Sequence, residues 1–272
     1  MYNDRTIRSA TALTNDQMRR VAPSIFAERP WHAMSEKYAF IPTIAVVDAL
    51  RAEGFVPVEA TQSLTRVPGK GDFTKHMLKF RDMRSGGDAL ALAPGKLRPE
   101  ALLTNSHDGA SAYTLMMGIF VFICSNGLVV GDHLVPPVKI QHRGDPRGVI
   151  DATFEVVEQA PRVAASIDTF QALRLEAPEQ RAFANAALAL KYDGPAPIDA
   201  DQALMARRVE DREPTLWNTF NRVQESLLTG GNRYRAESGR RMRTRPVQGI
   251  AENTKLNKAL WTLAEEMVRL KG

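Results

Sequence analysis

The sequence predicts an α+β protein, with antiparallel β-hairpins packed with helices in the N-terminal half and a mainly helical C-terminal half. Three observations carry that expectation. Between Phe55 and Arg81, two strand-like stretches flank the turn "VPGKGD", which makes a β-hairpin. Asn126–Gly127 lies between apolar arms and signals a second hairpin. After residue 148 strand signals give way to helical spacing, with Leu216, Phe220, Val223 and Leu227 along one helix face.

In chain order, the first 25 residues are polar and are expected to be loosely held. Pro42 opens a helix with Ala45, Val46, Ala49 and Leu50 on its apolar face, and Gly54 stops it. The first hairpin has arms 55–66 and 73–81. Residues 84–104 hold three glycines, two prolines and little periodicity, and read as loop. Strands follow over Tyr113–Cys124, Leu128–Val130 and about 135–142. Beyond "RGDPRG" come a long helix to about Leu173, an alanine-rich helix to about Tyr192 and a third over Asp199–Asp211. Thr215 caps a fourth helix, which Gly230 and Gly231 end. The last carries Leu256, Leu260, Leu263, Met267 and Leu270 on one face. The regions are 1–25, 26–148 and 149–272, the last with a basic loop at 230–246; the second and third are compatible with one continuous domain.

The 272 residues are 44% hydrophobic and 25% charged, the composition of an ordinary globular protein. No stretch approaches the roughly 18–20 apolar residues of a membrane span, and the N-terminus lacks an apolar leader core, so a cytoplasmic setting is expected. The single cysteine excludes an intramolecular disulfide and a multi-cysteine zinc cluster. The net charge of +5 is concentrated. Residues 66–84 carry six bases against two aspartates, and 230–245 six arginines against one glutamate, whereas 151–201 carry nine acids against four bases. Two basic clusters of this kind suit a polyanion, although a charge run is also an ordinary solvated face.

"TNSHDGASAYTLMMGIFVFICSNGLVVGD" holds an imidazole, acids, amides and the only thiol. A hydrolase would centre on His107 and Asp108. No H-x-H, H-E-x-x-H or repeated acid pattern accompanies them, so no metal or cofactor is expected. Adjacent strand residues also point to opposite faces. The favoured reading is a turn: Asn105, Ser106 and Asp108 bond nearby backbone, and Gly109 supplies a positive φ. Cys124, beside the turn at Asn126, reads as a buried, inert thiol with no third member of a triad in sight.

Along Phe73–Arg81 the alternation puts Lys75, Lys79 and Arg81 on one face, and His76, Leu78 and Phe80 on the other. The expectation is an apolar inner face and an exposed cationic outer face that tracks phosphates, helped by Arg66 and Lys70. Arg233, Arg235, Arg240, Arg241, Arg243 and Arg245 surround Tyr234 on a glycine-rich arm, expected to be mobile and to order on a partner. Asn218, Asn221, Gln224 and Glu225 read as the solvated side of their helix, with a partner-binding stripe as the alternative.

The stretches "APSIFAERPWHAMSEKYAFIPT", "FTKHMLKFRDM", "TNSHDGASAY", "FVFICSNGLVVGD", "LWNTFNRVQESLLTGG" and "NKALWTLAEE" resemble the phage/plasmid-like proteins that share domain of unknown function 932. The resemblance runs from Ala22 to Glu266. It implies a mobile genetic element in a bacterial cytoplasm and implies no reaction. The resulting expectation is a nucleic-acid-binding protein without catalytic residues, a single-stranded DNA binder in replication, recombination or annealing, compatible with self-association. The rival is a protein-binding inhibitor of host defence, acting against restriction or CRISPR interference. The third reading is the hydrolase centred on His107 and Asp108.

Overall fold

The computed structural model describes residues 5–36, 38–83, 97–121, 127–140 and 147–271. They belong to two compact units, Met1–Pro161 and Arg162–Gly272. The first unit runs β1 (Arg5–Arg8), α1 (Asn15–Val21), a 3-10 turn at Pro23–Phe26, α2 (Thr43–Ala52), β2 (Phe55–Gln62) and β3 (His76–Asp82). It continues with β4 (Leu97–Asn105), β5 (Tyr113–Val121), β6 (Gly127–Val129), β7 (Val138–Ile140) and α3 (Arg147–Glu158). The strands form one antiparallel sheet in the order β1-β2-β3-β4-β5-β6, with β7 also paired to β5. Sequence neighbours are spatial neighbours, as short unknotted connections favour.

The first hairpin forms as its turn chemistry predicts, with β2 and β3 in register from Phe55↔Asp82 to Gln62↔His76. A bulge falls between Pro57 and Glu59, beside a residue that cannot donate to the ladder. Gly54 takes φ 85° at the end of α2. β4 stands in the second half of the segment expected to be loop. Its signal is the apolar run Ala101–Leu103, which the nearby glycines and Pro99 hide. Residues 5–25 are not loose either. β1 pairs along its whole length with β2, and Leu13, Met18, Ala22 and Ile25 are fully buried. Their spacing tucks one side of a polar segment under the sheet edge. Thr14 and Gln17 close a capping box on α1.

One face of the sheet packs under α2 and α3. Leu78, Phe80, Ala101, Leu103, Leu115 and Ile119 are buried there, and the Phe55 ring meets Phe154 of α3 edge-on at 5.3 Å. The other face carries Glu59, Lys79, Arg81, Glu100 and Leu102, also buried. Gly118 leaves room there for Leu102, since a Cβ would stand 2.0 Å from Leu102 Cδ1 and force that side chain to shift.

The second unit is helical: α4 (Ala160–Ala172), α5 (Ala177–Lys191), α6 (Ala200–Ala203), α7 (Leu216–Thr229), then β8 (Arg233–Arg235), β9 (Arg241–Arg243) and α8 (Ile250–Lys271). The long helix expected to Leu173 is two, α3 and α4, with Pro161 at the second position of α4, where a missing N–H costs nothing. The helix expected over 199–211 reduces to α6 and a 3-10 turn at Glu210–Arg212. Met205 and Val209 are exposed, so no core holds that stretch helical. Thr215 caps α7 by accepting from Asn218 N at 3.1 Å, and Leu216, Phe220, Val223 and Leu227 are fully buried as their spacing requires. Phe220 lies against Trp261 and Phe170 against Trp261, with ring centroids 6.3 and 5.2 Å apart. Leu270 departs from its expected face and is exposed.

Candidate functional sites: a buried histidine centre and an arginine ribbon

Gln62, His76 and Asn105 are partners in one row across β2, β3 and β4, on the face that α2 covers. Tyr113 opens β5 beside them. α2 begins at Thr43, and its hydroxyl is the hub. His76 Nε2 lies 2.9 Å from Thr43 Oγ1, Tyr113 OH 3.0 Å, and His107 Nε2 and Asn105 Nδ2 3.2 Å each. Ser24 Oγ reaches His76 Nδ1 at 2.9 Å and Gln62 Oε1 at 2.7 Å. All these residues are buried, and Asn105 Oδ1 is buried without a hydrogen-bond partner. Burial pushes the His76 pKa down to about 4, so the ring is neutral at physiological pH. Burial pushes the Tyr113 hydroxyl up, so it too stays protonated.

The NSHDG turn forms with Gly109 at φ 79° and Asp108 accepting from Ala110 N at 3.0 Å. His107 and Asp108 diverge. The imidazole turns inward to Thr43, while the carboxylate faces Lys70 at 3.0 Å. Burial opposes ionisation of Asp108, but the Ala110 N–H and the Lys70 ammonium hold its pKa below the usual carboxylate range. A hydrolytic pair of His107 with Asp108 therefore has no shared target atom. Lys70, expected to meet phosphate, is occupied by that same carboxylate. Cys124 and Asn126 lie outside the described residues. Sequence reasoning missed Thr43, Ser24, Gln62 and Tyr113; the one local signal was His76 sharing a face with Leu78 and Phe80.

The cationic strand face is not exposed. Lys79 and Arg81 are 5% and 4% accessible. Lys79 Nζ pairs with Glu59 at 3.1 Å, and Arg81 with Glu100 at 2.8 Å. β3 is a central strand, and its neighbours bring Glu59 opposite Lys79 and Glu100 opposite Arg81. Burial alone would raise both acids. Lys79 and Arg8 reverse that for Glu59 and hold it low; Glu100 stays raised, because burial and the nearby Glu59 outweigh Lys79 and Arg81. Lys75 is half-buried and Arg66 exposed. The polar stripe of α7 is likewise not solvated. Gln224 donates to Asn257 at 2.8 Å, Asn221 is buried, and Glu225 takes the Arg208 guanidinium at 2.8 Å.

The arginine-rich segment is a two-stranded ribbon, not a loop. Arg233 pairs with Arg243, Tyr234 with Met242, and Arg235 with Arg241. Strand alternation puts the four arginines on one face and Tyr234 with Met242 on the other. All four are exposed, and none makes an ion pair with the described residues. A cavity of about 810 Å³ opens against both strands. Gly239, at φ 77°, turns the ribbon, with Arg240 exposed beside it and Arg245 exposed past its end. Its root is fixed to the end of α7. Gly231 N donates to Thr244 O at 2.9 Å, Asn232 Nδ2 to Ser226 Oγ at 2.9 Å, and Arg207 to Gly230 O at 2.6 Å.

No group of three or more His, Cys, Asp or Glu able to hold a metal occurs among the described residues, and no described helix is long and apolar enough to cross a membrane. The sheet, the helical unit and the two polar features define an α+β protein with no recognised catalytic motif. The model of a domain of unknown function (DUF932) matches residues 30–261, and the chain belongs to that family. It is 41% identical over 264 residues to UPF0380 protein YafZ of Escherichia coli strain K12, and 40% identical over 264 residues to UPF0380 protein YfjQ of the same strain. Each alignment covers 96% of this chain and 94% of the relative. No solved structure matches the chain.

Proposed function

We propose that the protein binds nucleic acid on the β8–β9 ribbon, with a single strand as ligand, in the replication, recombination or annealing of a mobile element. The observation that carries this reading is the set of four exposed arginines on one ribbon face, with no ion pair to a carboxylate among the described residues. Like charges directly opposite one another in a ladder are destabilising, so an anion that bridges them is stabilised in proportion. Cross-strand neighbours stand roughly 5 Å apart. Successive same-face residues are roughly 6.6–6.8 Å apart along a strand, from a rise of about 3.3–3.4 Å. Four guanidinium forks at those spacings suit consecutive phosphates. Guanidinium planes also stack on unpaired bases, which a duplex does not present. No base-edge reader is evident, so sequence preference should be small.

The test is a salt titration with labelled single- and double-stranded oligonucleotides. Four phosphate contacts predict a slope of log affinity against log salt of about −2.8 for a single strand, at roughly 0.7 per phosphate. Changing the four arginines to alanine should remove most of that slope. If wild type binds neither form at low salt, or the variant keeps the wild-type slope, this reading fails and the protein-binding alternative takes its place.

A further inference from the structure

Proton positions in the buried centre follow from the amide of Gln62. Its Nε2 donates to Gly71 O at 2.7 Å. Its Oε1 therefore faces Ser24 and accepts both the Ser24 N–H, at 2.9 Å, and the Ser24 hydroxyl, at 2.7 Å. With that hydrogen committed, Ser24 Oγ accepts from His76 Nδ1 at 2.9 Å, and Thr74 O at 3.2 Å requires the same proton position. His76 Nε2 then carries a lone pair and accepts the Thr43 hydroxyl hydrogen at 2.9 Å. This is the order nucleophile, base, orienting group, with a serine and an amide where a carboxylate often stands.

The surroundings of Thr43 Oγ1 point the same way. A hydroxyl has one hydrogen and two lone pairs, so it can make about three bonds, yet four polar groups converge on this one. Tyr113 gives its hydrogen to Ile41 O at 2.9 Å, so the amide of Asn105 is the donor that remains for this oxygen. Thr43 is also the first residue of the ten-residue helix α2, whose N-terminus favours developing negative charge. The unpartnered, fully buried Asn105 Oδ1 beside it leaves one polar atom for a ligand to satisfy.

We propose that Thr43 is a nucleophile activated by His76 in an acyl-transfer centre closed beneath the strap between Phe26 and Thr43. The described part of that strap has no regular helix or strand. Irregular connections of this length are uncommon in compact units and usually serve a function or act as linkers. It is fastened over the centre by Trp31 N donating to His107 O at 2.8 Å, by the Tyr38 hydroxyl donating to Ser106 O at 3.1 Å, and by the Phe40 ring against His107. His76 and Tyr113 are held neutral and no Asp, Glu, Lys or Arg is among the hydrogen-bond partners of Thr43, so the substrate class is a neutral ester or amide. A phosphodiester would bring a charge with no lysine or arginine bonded at the centre to offset it. In the first step Thr43 Oγ bonds the carbonyl carbon, its proton passes to His76 Nε2, and Asn105 Nδ2 faces the developing oxyanion. The bond to the leaving group breaks and the leaving group takes the proton. Water then attacks the Thr43 ester, the acid departs and Thr43 regains its hydrogen.

The experiment is independent of nucleic-acid binding. The full chain is incubated with p-nitrophenyl acetate, nitrophenolate release is followed, and peptides are mapped by mass spectrometry. The expected result is an initial burst with an acetyl group on Thr43, retained in Thr43→Ser and absent in Thr43→Val. His76→Gln should slow acetylation by about 100-fold or more, the usual worth of a general base, while Trp31→Ala, which removes the indole packed 5.3 Å from the Phe73 ring and so loosens the strap, should speed it. Circular dichroism confirms that each variant is folded. The proposal is overturned if neither wild type nor Trp31→Ala acquires an acetyl group on Thr43, or if His76→Gln is acetylated there as fast as wild type. A purely structural hub would change melting temperature and give no adduct.

Discussion

Acidification should destabilise the first unit, and the His76 imidazole supplies a defined part of that loss. His76 is fully buried, and burial lowers its pKa from 6.5 to about 4. The unfolded chain therefore takes up a proton near pH 6.5, whereas the folded chain refuses it until about pH 4. The unfolded state binds more protons across that window, so stability rises with pH there. The contribution is present in full above 6.5, falls as the pH drops from 6.5 to about 4, and is gone below that. A shift of about 2.5 units at about 1.36 kcal/mol each amounts to roughly 3 kcal/mol in total, against a typical net stability of about 5–15 kcal/mol. Between pH 7 and 5.5 the loss is about 1 kcal/mol by the same linkage.

The assay is urea unfolding at a series of pH values with fluorine-labelled tryptophan. Trp31 lies in the first unit and Trp217 and Trp261 in the second, so their resonances report the units separately. Other groups titrate nearby. Glu59 and Asp108 are held low and also lose stability towards acid, whereas Glu100, held high, works in the opposite sense. The decisive quantity is therefore the difference between wild type and His76→Gln. Wild type should lose roughly 3 kcal/mol more than the variant between pH 7 and 4. Equal slopes for the two proteins, or a folded-state His76 resonance titrating near pH 6.5, would refute the reasoning.

Other outcomes follow from particular contacts. Lys79→Ala leaves Glu59 buried with Arg8 alone and should cost about 3–5 kcal/mol; a cost under about 1 kcal/mol in chemical unfolding would mean that the pair is solvated. Changing Arg233, Arg235, Arg241 and Arg243 to alanine should leave the melting temperature almost unchanged, since each such surface change is worth about 0.5 kcal/mol or less. Gly230→Ala should destabilise the second unit by about 1–3 kcal/mol, because φ is 65° and a Cβ would stand 2.7 Å from Thr244 O and Arg245 C. Unfolding monitored at Trp217 and Trp261 checks it.

The elements that could be read from the sequence are those whose causes are local. The Pro-Gly turn, the Gly54 stop, the Thr215 cap and the apolar face of α7 each lie within a few residues of their effect, and each forms as expected. The buried centre has no such local cause. Thr43 meets its partners 33, 62, 64 and 70 residues away, and only the strand register brings them together. β4 was hidden for a related reason: its pairing on both sides keeps Pro99 in a strand that its own sequence argues against.

The two cationic segments make the distinction sharpest. Both alternate basic and other residues at period two, Lys79 and Arg81 on β3, and Arg233 and Arg235 on β8. Their fates are opposite because of what stands across the ladder. Glu59 faces Lys79 and Glu100 faces Arg81, so those cations are neutralised and can be buried. Arg243 faces Arg233 and Arg241 faces Arg235, so burial would concentrate like charge and the ribbon stays in water. An alternating basic strand is therefore an anion-binding candidate only when its partner strand carries no acids. The segment "RYRAESGRRMR" satisfies that condition on its own, since both arms of the ribbon and their turn lie within it. The β3 segment could not be judged until β2 and β4 were paired with it, because the acids that neutralise it are 20 residues before Lys79 and 19 after Arg81.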